Sequence, residues 1–135
     1  MRRTVSLGGL QLQILRHLWA RGEATVTEVQ AGLRAESRPL APTTVATMLK
    51  KMEHKGVVAH SLDGRRFVYR ATLSEDSVRR SLVDELMESL FDGAPTALVS
   101  HLLAQHQMSA AELSELRSLV AEAGHLERQK KERTR

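Results

Sequence analysis

Asp63-Gly64 lies between two short runs rich in strand-forming residues, VVAHSL at 57–62 and RRFVYRA at 65–71. Asp-Gly in such a setting is a strong hairpin signal, because tight two-residue turns need backbone with positive φ, which glycine adopts without steric penalty. A two-stranded ribbon is marginal in water by itself. It must therefore pack against helices, and three helical segments precede it. That order of elements, three helices and then a ribbon, is a winged helix-turn-helix. The predicted fold is thus mainly α, with a two-stranded wing.

The first helix is read over residues 9–21, where Leu10, Ile14, Leu15, Leu18 and Trp19 form one apolar stripe and Gly22 ends it. Thr25 and Glu28 have the spacing of a capping box that starts a second helix over 26–35, with Val29 and Leu33 facing inward. A loop with two prolines follows, and Pro42 suits the first position of a third helix. Ala41 supplies no side-chain cap to that helix, so its leading amides are left for water or for an anion such as a phosphate.

The third helix, PTTVATMLKKMEHK over 42–55, buries Val45, Met48, Leu49 and Met52 at the i, i+3, i+4, i+7 spacing. The opposite face carries Thr43, Ala46, Thr47, Lys50 and His54, with Thr44 and Lys51 on its flanks and Glu53 toward the side. Short hydroxyls, a methyl and lysines, with no acid among them, suit contact with base edges and phosphates. An ordinary amphipathic surface helix is the plainer reading of the same pattern. Arg65 and Arg66 leave the turn side by side, and strand alternation turns one to each side.

Charge separates the chain along its length. Residues 1–73 hold 12 Lys/Arg against 5 Asp/Glu, residues 74–126 hold 3 against 9, and the last nine hold 5 against 2. A basic half joined to an acidic one points to a polyanion-binding part and a second part with another task. There is no cysteine, which excludes disulfides and thiolate metal sites and fits a cytoplasmic protein. The basic N-terminus has no apolar core behind it, so no secretory signal is expected, and no apolar run is long enough to span a membrane.

The second half reads as three more helices. The fourth, from about residue 75 to 91 with Thr72 or Ser74 as its cap, carries Val78, Leu82, Val83, Leu86, Met87 and Leu90. Pro95 opens the fifth, with Leu98, Val99, Leu102 and Leu103. Ser109 and Glu112 form a second capping box for the sixth, whose stripe is Leu113, Leu116, Leu119, Val120 and Ala123. So short a segment cannot bury three such stripes alone, and a symmetric dimer is the default solution, with packing back onto the N-terminal half as a monomer the alternative. The expected organisation is a DNA-binding domain at 1–73, a helical dimerisation domain at 74–126 and a disordered charged tail at 127–135. Leu82, Leu86, Leu90, Leu98, Leu102, Leu113, Leu116, Leu119 and Val120 are the expected dimer contacts.

Nothing points to an enzyme or to a cofactor. Leu7-Gly8-Gly9-Leu10 matches no phosphate-binding loop. His101 and His106 are five apart, on different faces of one helix, unlike the i, i+4 pairs that hold zinc.

The segments LGGLQLQILRHLW, TVTEV, APTTVATMLKKMEHKGVV, DGRRFVYRA, ALVSHLL and SAAELSELRSLV together resemble the penicillinase-repressor (BlaI/MecI/CopY) family over about residues 7–123. The resemblance implies a homodimeric transcriptional repressor that binds an inverted-repeat operator, often with TACA/TGTA half-sites. By the same analogy Thr43, Thr44, Ala46, Thr47, Lys50 and Lys51, with Arg65 or Arg66 in the wing, contact bases and backbone. Copper-sensing members carry a cysteine-rich metal motif that this chain lacks. Antibiotic-responsive members are inactivated by cleavage of an Asn-Phe bond in the helix matching the fifth, where this chain has His101-Leu102. The resemblance thus implies a further partner, a membrane-bound sensor metalloprotease or a protease it activates. A direct small-molecule inducer and constitutive repression are alternatives, and a winged-helix protein-interaction adaptor without an operator is the alternative from another class.

Overall fold

The computed structural model describes residues 7–134. The basic N-terminal residues 1–6, read above for a signal, lie outside it, as does Arg135. In order, the elements are α1 (Gly9–Arg21), β1 (Ala24–Thr25), α2 (Val26–Ala35), α3 (Pro42–His54), β2 (Val58–Asp63), β3 (Arg66–Ala71), α4 (Glu75–Leu90), α5 (Pro95–Gln105) and α6 (Ala110–Arg133). The fold is mainly helical with a small antiparallel sheet, as the winged-helix reading expects.

The start and stop signals act where the sequence places them. Gly22 takes φ 86° and its N–H closes α1 onto the Leu18 carbonyl. Both capping boxes are complete, Thr25 with Glu28 and Ser109 with Glu112. Pro42 and Pro95 occupy the first turns of α3 and α5. Ser74 is the cap of α4, its hydroxyl accepting from the Ser77 N–H at 3.0 Å, while the Thr72 hydroxyl instead donates to the Gly56 carbonyl.

One strand is additional to the expected pair. β1 pairs with β3, Ala24 opposite Tyr69 and Thr25 opposite Val68, so the sheet has three strands in the order β1-β3-β2. Two residues are too few to show alternation, and Thr25 is at once strand end and helix cap. The extra strand covers the inner edge of the hairpin, and Ala24 is 1% exposed. The register also moves the turn by one residue. Asp63 pairs with Arg66, which leaves Gly64-Arg65 as the two-residue loop, with Gly64 at φ 64°. Glycine in the first central position is the type II′ pattern.

The chain divides into two compact units, up to Leu86 and from Met87. The first has one apolar core, in which Ile14, Leu15 and Leu18 of α1 meet Val29 and Leu33 of α2, Val45, Leu49 and Met52 of α3, and Val58 and Tyr69 of the sheet. Val78 of α4 is also buried, at 1% exposure. Most of α4 thus belongs with the winged helix, and the units part inside that helix instead of at the 73/74 boundary expected from sequence. A shallow cleft lined by Leu12, Trp19, Val78 and Leu82 marks where α1 and α4 approach.

The second unit has no buried side chain in α5 or α6. Within it, Phe91 meets His101 edge-on at 5.6 Å. The expectation of a disordered tail from Glu127 is corrected, since α6 runs on to Arg133. Leu126 to Arg133 contains no glycine or proline and consists of good helix formers, and the cationic last turn complements the helix dipole. Among the described residues no helix is long and apolar enough to cross a membrane.

Candidate nucleic-acid interface

α3 is held from three sides. Its inner stripe, Val45, Leu49 and Met52, is fully buried, with Met48 half-buried beside it. The loop before it is pinned by Gln30 Nε2, which donates to the Leu40 carbonyl at 2.9 Å. At its far end Lys55 Nζ donates to Gln11 Oε1 at 3.2 Å, and Gln11 in turn reaches Met48 Sδ at 3.4 Å, linking α1 to α3. The helix cannot rotate about its axis without unburying that stripe, so the identity of its outer face is fixed by packing.

On that outer face Thr43, Thr44, Thr47, Lys50 and Lys51 are exposed, and Ala46 is half-buried and presents less surface. Lys50 and Lys51 have no ion-pair partner among the described residues. The Thr47 hydroxyl donates to the Thr43 carbonyl at 2.8 Å, a back-bond one turn down the helix. This leaves the Thr47 methyl as the group best placed to meet an apolar ligand atom. Ala41 makes no side-chain cap, as read from sequence.

The wing's two turn arginines differ. Arg66 Nη2 is 3.2 Å from Asp63 Oδ2 across the turn. Arg65 sits in the loop itself, exposed and without a partner among the described residues. The shifted turn explains the difference, since Arg65 has no place in the ladder and the alternation expected for it does not apply. Arg70, which was not singled out from sequence, shares the outer face of β3 with Arg66 by the period-two rule.

A second set of residues was also missed. On the other face of the ribbon, His60 stacks on Phe67 with ring centroids 4.5 Å apart and 27° between planes, and lies 5.7 Å from Tyr69. His60 Nδ1 meets Glu53 Oε1 of α3. Burial, and then the negative charge of Glu53, hold the Tyr69 hydroxyl above the usual phenol pKa. The signal available in the sequence was that Glu53 is the sole acid of α3 and that residues 60, 67 and 69 share one face of a hairpin.

The predicted dimer contacts are exposed to different degrees in the single chain. Leu90 is 70% exposed, and Val120 64%, whereas Leu82, Leu98 and Leu116 are half-buried; Leu86, Leu102, Leu113 and Leu119 are exposed. His101 is exposed as well, and the His101-Leu102 bond lies inside α5, not in a loop.

Comparisons with known proteins agree with one another. Residues 7–122 match the family model described as Penicillinase repressor. The transcriptional regulator BlaI of Mycobacterium tuberculosis is 34% identical over 129 residues, covering 93% of this chain and 91% of that protein. The penicillinase repressor of Bacillus licheniformis is 24% identical over 122 residues, covering 90% and 94%. Among solved structures, the YusO protein of Bacillus subtilis shares the fold, with a TM-score of 0.50 at 19% identity over 88% of this chain and 75% of that one. With its winged-helix core, the acid-free outer face of its third helix and this match along nearly its whole length, the chain belongs to the penicillinase repressor family of transcriptional regulators, not to a family of enzymes.

Proposed function

We propose that this protein is a homodimeric transcriptional repressor that binds an inverted-repeat DNA operator through α3 and the wing. The observation that carries the reading is the outer face of α3. Thr43, Thr44, Thr47, Lys50 and Lys51 are exposed there with no acid among them, beside a wing whose tip carries the exposed Arg65. In this reading α3 enters the major groove. Thr43, Thr47 and Ala46 face base edges, Thr44, Lys50 and Lys51 hold phosphates, and Arg65, with Arg66, reaches the neighbouring backbone.

The dimer follows from α5 and α6, which bury no side chain within one chain yet carry rows of leucine and valine. A second copy covers those rows, and a two-fold symmetric protein matches a two-fold symmetric operator. The winged-helix unit then supplies the DNA-contacting surfaces, and α5 and α6 the dimer contacts. Release of the operator by cleavage at His101-Leu102 completes the proposal, because it severs α6 from the DNA-binding unit and removes the gain of holding two half-sites at once. The protease would be a membrane-bound sensor or an enzyme that the sensor activates.

Salt dependence tests the core of the reading. A repressor making 6–10 phosphate contacts loses about 10³–10⁵ in affinity between roughly 50 and 200 mM salt. Fluorescence anisotropy with a duplex selected from a random-sequence library by this protein measures that slope. A flat slope, with no duplex enriched by selection, would instead mark a protein-interaction adaptor.

A further inference from the structure

Glu53 is out of place on a DNA-reading helix. It is the sole acid of α3 and lies near the C-terminal end, where the helix dipole disfavours negative charge and where a nearby phosphate would be repelled. Its side chain is only 33% exposed and is turned to His60 of β2, which is exposed to the same extent. The base of the wing is clamped separately. The Val57 N–H donates to the Met52 carbonyl at 3.1 Å, the Thr72 N–H to the Val57 carbonyl at 3.0 Å and the Thr72 hydroxyl to the Gly56 carbonyl at 2.6 Å.

The Glu53–His60 contact lies farther out than this clamp. There the His60 ring is held between the carboxylate of α3 and the ring of Phe67 on β3. Beyond it the ribbon continues to Leu62, 64% exposed, and to the Gly64-Arg65 turn. At about 3.3 Å per residue the tip lies roughly 13 Å past His60, so a tilt of about 10° at that point moves Arg65 by about 2 Å. Such a displacement is enough to break a charge-assisted contact to a phosphate.

We propose that Glu53 and His60 are positioning residues that set the reach of the wing tip relative to the base-reading face of α3, and so let Arg65 and the threonines of α3 engage one half-site together. The inference rests on the nucleic-acid reading of α3 and the wing. Glu53 touches no DNA in this arrangement; it acts through His60, and His60 acts through Phe67 and the ribbon.

The test is a set of double-mutant cycles in the full chain, read by anisotropy on the duplex selected by the wild-type protein. Glu53→Gln removes the charge at nearly constant shape, and His60→Phe keeps a ring on Phe67 while losing the contact to Glu53. Circular dichroism checks that each variant is folded. In either background the affinity penalty of Arg65→Ala should shrink at least about threefold relative to wild type, because the tip is no longer held in register, while the penalty of Thr47→Ala stays unchanged. An undiminished Arg65→Ala penalty in both folded backgrounds overturns the inference. So does a parallel fall in the Thr47→Ala penalty, which would mean that α3 as a whole has loosened. If Arg65→Ala and Thr47→Ala are both silent in the wild-type chain, the nucleic-acid reading itself fails, a result separable from the other two.

Discussion

The indole of Trp19 donates from Nε1 to the carbonyl oxygen of Leu73 at 2.8 Å, tying the last turn of α1 to the residue that leads into α4. With Val78 buried one turn into α4, this bond makes the start of the fourth helix part of the winged-helix unit. A chain ending at Leu86 should therefore fold and remain monomeric, whereas the full chain sediments as a dimer. A chain ending at Leu73 loses Val78 from the core and should be less stable than the longer fragment by about 1.5–3 kcal/mol. Trp19→Phe in the fragment ending at Leu86 should cost about 1 kcal/mol in urea titration through the bond it removes. A stable dimer of that fragment would refute the assignment of α5 and α6 to dimerisation.

Reading and holding should separate on α3. Because the Thr47 hydroxyl is engaged by the Thr43 carbonyl, its methyl is the group offered outward, and the T-methyl of a thymine is its natural contact. Thr47→Val should keep base preference and Thr47→Ser should relax it, as scored by competition with single-base variants of the selected duplex. Lys51→Ala should weaken all duplexes alike and lower the salt slope by about one unit. Were Lys51→Ala to alter base preference while Thr47→Ser did not, the roles assigned to the two residues would be inverted.

Acid should act first at the start of α2. The Glu28 carboxyl is held below its usual value of 4.5, chiefly by accepting from the Thr25 backbone and then from its hydroxyl, with the Arg21 charge adding to the effect. A group whose pKa is depressed on folding contributes stability that is present above its unfolded value and is lost as pH falls through the folded one. Unfolding titrations of wild type should thus lose this contribution below about pH 4.5. Glu28→Gln should be less stable at pH 7 and show a flatter decline in acid. Equal acid slopes for the two proteins would count against the capping box as a source of the shift.

Induction should leave a fragment. In cells exposed to a cell-wall antibiotic, an N-terminal piece ending at or near His101 should accumulate as target transcripts rise. Leu102 lies within α5, so the protease must act on a locally opened helix. Ser100 sits in the interior of the same helix. A proline there removes a backbone donor and clashes with the preceding turn, so Ser100→Pro should open α5 beside the bond and speed cleavage. Persistence of the intact chain during full induction would rule the switch out.

Local chemistry was enough for much of this protein. The helices, their caps, the hairpin and the buried stripe of α3 are each signalled within a few residues, by 3.6-residue periodicity, by Thr25 with Glu28, by Pro42 and by the Asp-Gly turn. Helical periodicity also placed Thr43, Thr47, Lys50 and Lys51 on one face, because burying Val45, Leu49 and Met52 leaves those positions no other direction. Tertiary structure decided what depends on residues far apart in the chain. β1 exists because β3 offers it a partner, not because two residues favour a strand. The loop holds Gly64-Arg65 because the ladder pairs Asp63 with Arg66. Glu53 meets His60, and Val78 joins the core of the first unit, only once the helices and the ribbon have packed. Periodicity reports which face of an element is apolar; which neighbour that face meets is settled by packing.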